Sequence, residues 1–134
     1  MARDNAKTIQ QILDFIDDVV PNAFPSEVKT EWLSQLDGKI AGEVLLTVDP
    51  IEFHYVYPDC AKWNVIVPWP YDDIYETWLR AKIDFANGEY EKYNNSSEMF
   101  NAQLREYKAW FLNTYRPGQG YREIVSRRRV EGTI

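Results

Sequence analysis

A chain of 134 residues with a formal charge of −6, one cysteine and one histidine has few chemical options. Cys60 alone rules out an internal disulfide, and a zinc site of three or four Cys/His ligands lacks its ligands. The length fits one domain, residues 1–134, and the acidic balance argues against gripping a phosphate backbone.

Asp4-Asn5 offers a cap for a first helix, in which Ile9, Ile12, Leu13, Ile16, Val19 and Val20 form one apolar stripe ending at Pro21. Asp14, Asp17 and Asp18 lie mainly off that stripe and read as a solvated acidic face, since no calcium-loop pattern surrounds them. After a proline-bounded break, Ser26 is expected to cap a second helix. Its face carries Val28, Trp32, Leu36 and Ile40, with Leu33 beside them, and its end is expected between Gly42 and Leu46. Gly38 and Gly42 either fray its distal half or allow a close backbone approach.

Over residues 51–67 the period changes. Ile51, Phe53, Tyr55 and Tyr57 alternate with Glu52, His54 and Val56, and Trp63 to Val67 form a second β-like run after the Pro58-Asp59 turn. A short β-like hairpin and an extended arm both fit, and either offers an edge to another copy. Pro68-Trp69-Pro70 then leads stiffly into the next helix.

Residues 70–116 organise the rest. Ile74, Trp78, Ala81 and Phe85 recur at helical spacing, and Tyr75, Leu79, Ile83, Ala86, Tyr90 and Tyr93 do so one position round. Two adjacent stripes make a face wider than one partner needs. This helix is expected to pass Asn87-Gly88 and continue to about Tyr93. Asn94-Asn95-Ser96-Ser97 is turn and cap chemistry, and Phe100, Leu104, Tyr107 and Phe111 follow as the stripe of an antiparallel partner helix stopped at Pro117-Gly118. The fold expected is therefore mainly α: about four helices, a C-terminal antiparallel hairpin over about 71–115, and an extended tail.

Charge is divided unevenly. Residues 1–115 hold ten Lys/Arg against nineteen Asp/Glu, whereas residues 117–134 form a basic tail containing Arg127, Arg128 and Arg129. Such a tail suits an acidic surface, for instance on a neighbouring copy. Aromatic residues are 15% of the chain, and rings left over from the core suit an interface. Phe53, Tyr55, Tyr57, Trp63, Trp69, Tyr121, Arg127, Arg128 and Arg129 are the candidate partner-binding residues.

No chemical motif emerges. His54, Asp59 and Cys60 are close in sequence, but a turn histidine and an ordinary thiol account for them. Carboxylate pairs such as Asp72/Asp73 and Glu89/Glu91 fit helix ends and solvated positions. There is no phosphate loop, no G-x-S-x-G and no H-E-x-x-H, so catalytic, metal and cofactor sites are expected to be absent, and the chain is read as a non-enzyme. No run approaches the ~20 apolar residues of a membrane span, and the N-terminus lacks a signal-peptide stretch, so a soluble, intracellular protein is expected.

Several strings carry a family resemblance: Glu31-Trp32-Leu33-Ser34-Gln35-Leu36-Asp37-Gly38-Lys39-Ile40, Val67-Pro68-Trp69-Pro70-Tyr71-Asp72-Asp73-Ile74-Tyr75, Asp84-Phe85-Ala86-Asn87-Gly88-Glu89-Tyr90, Tyr93-Asn94-Asn95-Ser96 and Met99-Phe100-Asn101. In this order, over about residues 8–116, they resemble small helical proteins of the head–tail gene cluster in tailed phages and prophages of Gram-positive bacteria. The resemblance implies a head–tail connector (adaptor) subunit that forms a ring beneath the portal, with itself, portal and tail components as partners. It implies location in the host cytoplasm during assembly and then in the virion. DNA would pass without sequence-specific contact. The alternative is a small non-enzymatic binding or assembly-chaperone protein of a phage, monomeric or dimeric.

Overall fold

The computed structural model describes residues 6–46 and 49–114. Four α-helices, α1 (Ile9–Val19), α2 (Ser26–Ile40), α3 (Asp73–Ala86) and α4 (Tyr90–Thr114), make it mainly helical, and no strand occurs among the described residues. None of these helices is long and apolar enough to cross a membrane. Asp4-Asn5 and the basic tail, with Tyr121, Arg127, Arg128 and Arg129, lie outside the described residues.

The N-terminus of α1 is built by Thr8. Its hydroxyl accepts from the Gln11 N–H while the Gln11 side chain accepts from the Thr8 N–H, a reciprocal capping box. Two further first-turn donors find partners in a distant segment: Ile9 N–H donates to the Trp63 carbonyl (2.9 Å) and Gln10 N–H to the Ala61 carbonyl (3.0 Å). Val65 N–H donates back to Lys7, and Thr8 and Asn64 form an isolated antiparallel bridge. Behind this junction α1 buries Ile9, Ile12, Leu13 and Ile16.

Helix α2 starts after Pro25, and Ser26 is its first residue rather than its cap; no side chain caps it. Proline's fixed φ and missing N–H make this entry inexpensive. The helix passes into a π-helical turn, Ala41–Leu45, so it ends within the interval expected. The structure also decides the role of Gly42. A Cβ there would meet Pro50 Cγ at 3.2 Å, so the glycine permits a close approach by the returning chain.

Residues 51–67 are neither a β-like hairpin nor an extended arm. Residues Pro50–Phe53 form a 3-10 turn capped by Asp49, and residues 54–67 wind through turns across the core. From Glu52 to Val56 alternation signals one-sided burial, with Phe53 and Tyr55 buried and Glu52, His54 and Val56 exposed; Ile51, on the apolar side of the pattern, is exposed, and the backbone is paired to α2 and α1 instead of to a second strand. An alternating pattern reports which side is buried, not what lies on that side.

The expected continuation of the third helix to Tyr93 is also corrected. Helix α3 stops at Asn87, where Gly88 takes φ +75°. Gly88 N–H donates to Phe85 O (3.1 Å) and Glu89 N–H to Asp84 O (2.9 Å), the two bonds of a Schellman termination. Asn94-Asn95-Ser96-Ser97 lies inside α4, not in a turn. Asn and Ser cost only about 0.5 kcal/mol each against alanine in a helix, which packing further along α4 overcomes.

Contacts between α3 and α4 run in opposite order along the two helices: Phe85 meets Tyr93, Trp78 meets Phe100, and Tyr71, just before α3, stacks on Trp110 at 5.2 Å. Leu79, Ile83, Tyr107 and Phe111 join the apolar residues of α1, α2 and the 53–67 segment in one core cluster.

Candidate functional site

Two arrangements stand out, one closed and one open. The closed one grows from Ser34 and Asp37, one turn apart on the buried face of α2. Ser34 Oγ donates to the Phe53 carbonyl and accepts from the Tyr55 N–H, both at 2.9 Å, which holds the irregular segment against the helix. Asp37 is fully buried. One of its oxygens accepts from the Tyr75 hydroxyl at 2.6 Å; the other accepts from the Tyr55 hydroxyl at 2.5 Å and the Ile66 N–H at 3.2 Å. Tyr75 Oη in turn accepts from the Val67 N–H at 2.9 Å.

One carboxylate thereby ties α2, both halves of the 53–67 segment and α3 together. Burial, followed by the charge on Asp37 and the neighbouring Tyr55, pushes the Tyr75 hydroxyl well above its ordinary range. That hydroxyl stays protonated as a donor. Asp37, Tyr55, Ile66 and Tyr75 are all buried, and the knot is a tie between elements. Its signal in the sequence was Asp37, a carboxylate at i+4 from Leu33 and next to Leu36 on an apolar helix face.

The open arrangement is a groove where α2, α3 and α4 meet. It comprises two adjoining depressions, of about 460 and 200 Å³, which share Lys39, Trp78 and Phe100. Trp78 forms the floor. Its indole N–H donates to the Trp32 carbonyl at 2.7 Å and its ring lies 5.0 Å from that of Phe100. Two ammonium groups share the ring, Lys82 at 4.7 Å and Lys39 at 5.6 Å from its centroid. Among the described residues neither meets a carboxylate within ion-pair distance. Partial burial and then the charge on Lys39 lower the Lys82 pKa. Lys108, at the far end, lies 3.7 Å from Glu43. Phe85, more than half exposed, forms the rim with Tyr90 and Tyr93 edge-on to it.

The residues singled out from the sequence are scattered. Phe53 and Tyr55 are buried in the chain's own core, and Tyr57 and Trp63 are partly buried against it. Tyr57 donates its hydroxyl to Gln10. Trp69 is 67% exposed and borders a depression with Phe15, Lys7, Asp72 and Asp73. Of the chemical trio, Cys60 is buried, Asp59 is exposed, and the His54 ring lies 3.7 Å from the Glu31 carboxylate on the surface. Among the described residues no group of three or more His, Cys, Asp or Glu could hold a metal ion.

Sequence reasoning missed the Trp78 groove because helical spacing places that ring on a face of α3 without showing what covers it. A lysine one turn after Trp78 was the available sign, since Trp78 and Lys82 stand at i,i+4 on α3. No family model, no curated protein and no solved structure matches the chain.

Proposed function

We propose that this chain is an assembly subunit of a tailed phage or prophage, a head–tail connector that forms a ring between portal and tail. The phage context rests on the ordered motifs between residues 31 and 101. One structural observation carries the assembly reading: a 15.8 kDa acidic chain keeps Trp69, Phe85, Tyr90, Met99 and Leu112 more than half exposed. Two of these, Phe85 and Tyr90, form one cluster with Tyr93, and clustered rings at a surface are what a partner covers. An acidic body would also let DNA slide past without sticking. A non-enzymatic binding or chaperone protein is the second reading, and the Trp78 groove is the observation in its favour.

Light scattering behind a sizing column, over a wide concentration range, separates the two. A discrete large oligomer, or recruitment of the chain by a purified portal ring, supports the connector. A strict monomer or dimer that no portal ring recruits overturns it. Deleting residues 117–134 is expected to leave the melting temperature unchanged and to weaken incorporation into particles; equal incorporation would remove the tail from the assembly contacts.

A further inference from the structure

We infer that the Trp78 groove receives the acidic outer face of helix α1 from a second copy, joining subunits head to tail. The inference rests on the assembly reading above and names the two surfaces that meet.

The groove asks for an anion beside an apolar group. Lys39 and Lys82 crowd one indole without a carboxylate partner among the described residues, and the rings of Trp78, Phe100 and Phe85 stand next to them. Two like charges held together are relieved by a negative partner. In a chain with six more acidic than basic residues, this is an unusual patch.

Helix α1 carries the complement. Asp14 and Asp18, one turn apart, are exposed on its outer face, with Phe15 43% and Val19 39% exposed between and beside them. Eleven residues give a rod of about 16 Å, and an amphipathic helix laid in an aromatic groove is a recurrent mode of recognition. Asp14 and Asp18 would face Lys39 and Lys82, and Phe15 would meet the aromatic wall.

The chain cannot satisfy itself. Helix α1 lies along the side of α3 that carries Tyr75, Glu76, Arg80 and Ile83, where Phe15 and Val19 border depressions of about 300 and 500 Å³. The groove opens on Trp78 and Lys82, which stand about 160° round α3 from Glu76 and Arg80 at 100° per residue. Two different patches make a heterologous contact, which closes into a ring or runs on as a filament.

The test is charge reversal in the full chain, read by analytical ultracentrifugation in low salt up to about 1 mM, the edge of specific association. Lys39→Glu/Lys82→Glu and Asp14→Lys/Asp18→Lys should each weaken self-association about tenfold or more. Mixed together they should associate again, because each groove then meets an α1 of opposite sign. Melting curves check that the variants fold, and Lys39→Glu alone, at an exposed position, serves if the double variant does not. Association unaffected by folded Lys39→Glu, or no recovery on mixing, overturns the inference while leaving a ring built through other surfaces. A wild-type chain that stays monomeric throughout also overturns it, and the connector reading is then decided separately by portal recruitment.

Discussion

The Asp37 knot and the Trp78 groove are made from the same materials, aromatic rings and charged side chains on α2 and α3, and they end in opposite states. At Asp37 both carboxylate oxygens accept hydrogen bonds from three segments of the chain. At Trp78 two ammonium groups share a ring and meet no carboxylate among the described residues. The difference is solvent. A buried charge must be answered within the fold, because an isolated ion costs several kcal/mol to dehydrate, whereas a groove can leave its charges to water until a partner arrives. Mutations in the first region should therefore act on stability and those in the second on association.

The largest effect is expected from Asp37→Ala. It removes the acceptor of two tyrosine hydroxyls and the Ile66 N–H in the core, a loss of about 3–5 kcal/mol by urea unfolding. A cost below 1 kcal/mol would show that the knot does not hold the segment in place. Trp78→Ala comes next, at about 3 kcal/mol, because the ring lines the groove yet also packs against the core: partly buried, in contact with Phe100 and bonded to the Trp32 carbonyl. An unaltered melting temperature would make it purely a surface residue.

Tyr75→Phe should cost about 1–2 kcal/mol at neutral pH, and the pH dependence sharpens the assignment. Because the folded state holds this hydroxyl protonated above its unfolded value, the unfolded chain loses the proton first as pH rises past about 10. Stability contributed by Tyr75 is thus fully present below that value and falls above it by up to about 1.4 kcal/mol per pH unit. Tyr75→Phe should flatten that decline; parallel curves for the two proteins would contradict the buried-donor role. Gly88→Ala should cost about 1 kcal/mol through backbone strain alone, since a Cβ there meets no atom within 4 Å. The smallest effect belongs to Phe85→Ala on the groove rim, with a thermal shift close to zero and a visible loss of self-association; a large destabilisation would place that ring in the core instead.

Much of the helical body was legible. Of the first stripe, Ile9, Ile12, Leu13, Ile16 and Val20 are buried as its spacing required while Val19 is exposed, and Phe111 and Tyr107 are buried likewise. Boundaries were less so. Tyr90 and Tyr93 continue the period of α3 across Gly88, because rings after a tight turn pack back on Phe85 and imitate an unbroken stripe. The groove was hidden for a related reason. Periodicity identifies a face of α3, but whether Trp78 on that face is covered depends on how closely α2 and α4 approach it.

Local periodicity and composition alone establish that the chain is mainly helical and acidic, with a single histidine and a single cysteine. It takes the packed fold to show that residues 54–67 cross the core as a connector, that Asp37 is the carboxylate the connector depends on, and that Lys39 joins Lys82 on one indole. Asp37 reaches residues 18, 29 and 38 positions away and Lys39 an indole 39 positions away, and no short-range pattern carries distances across such separations.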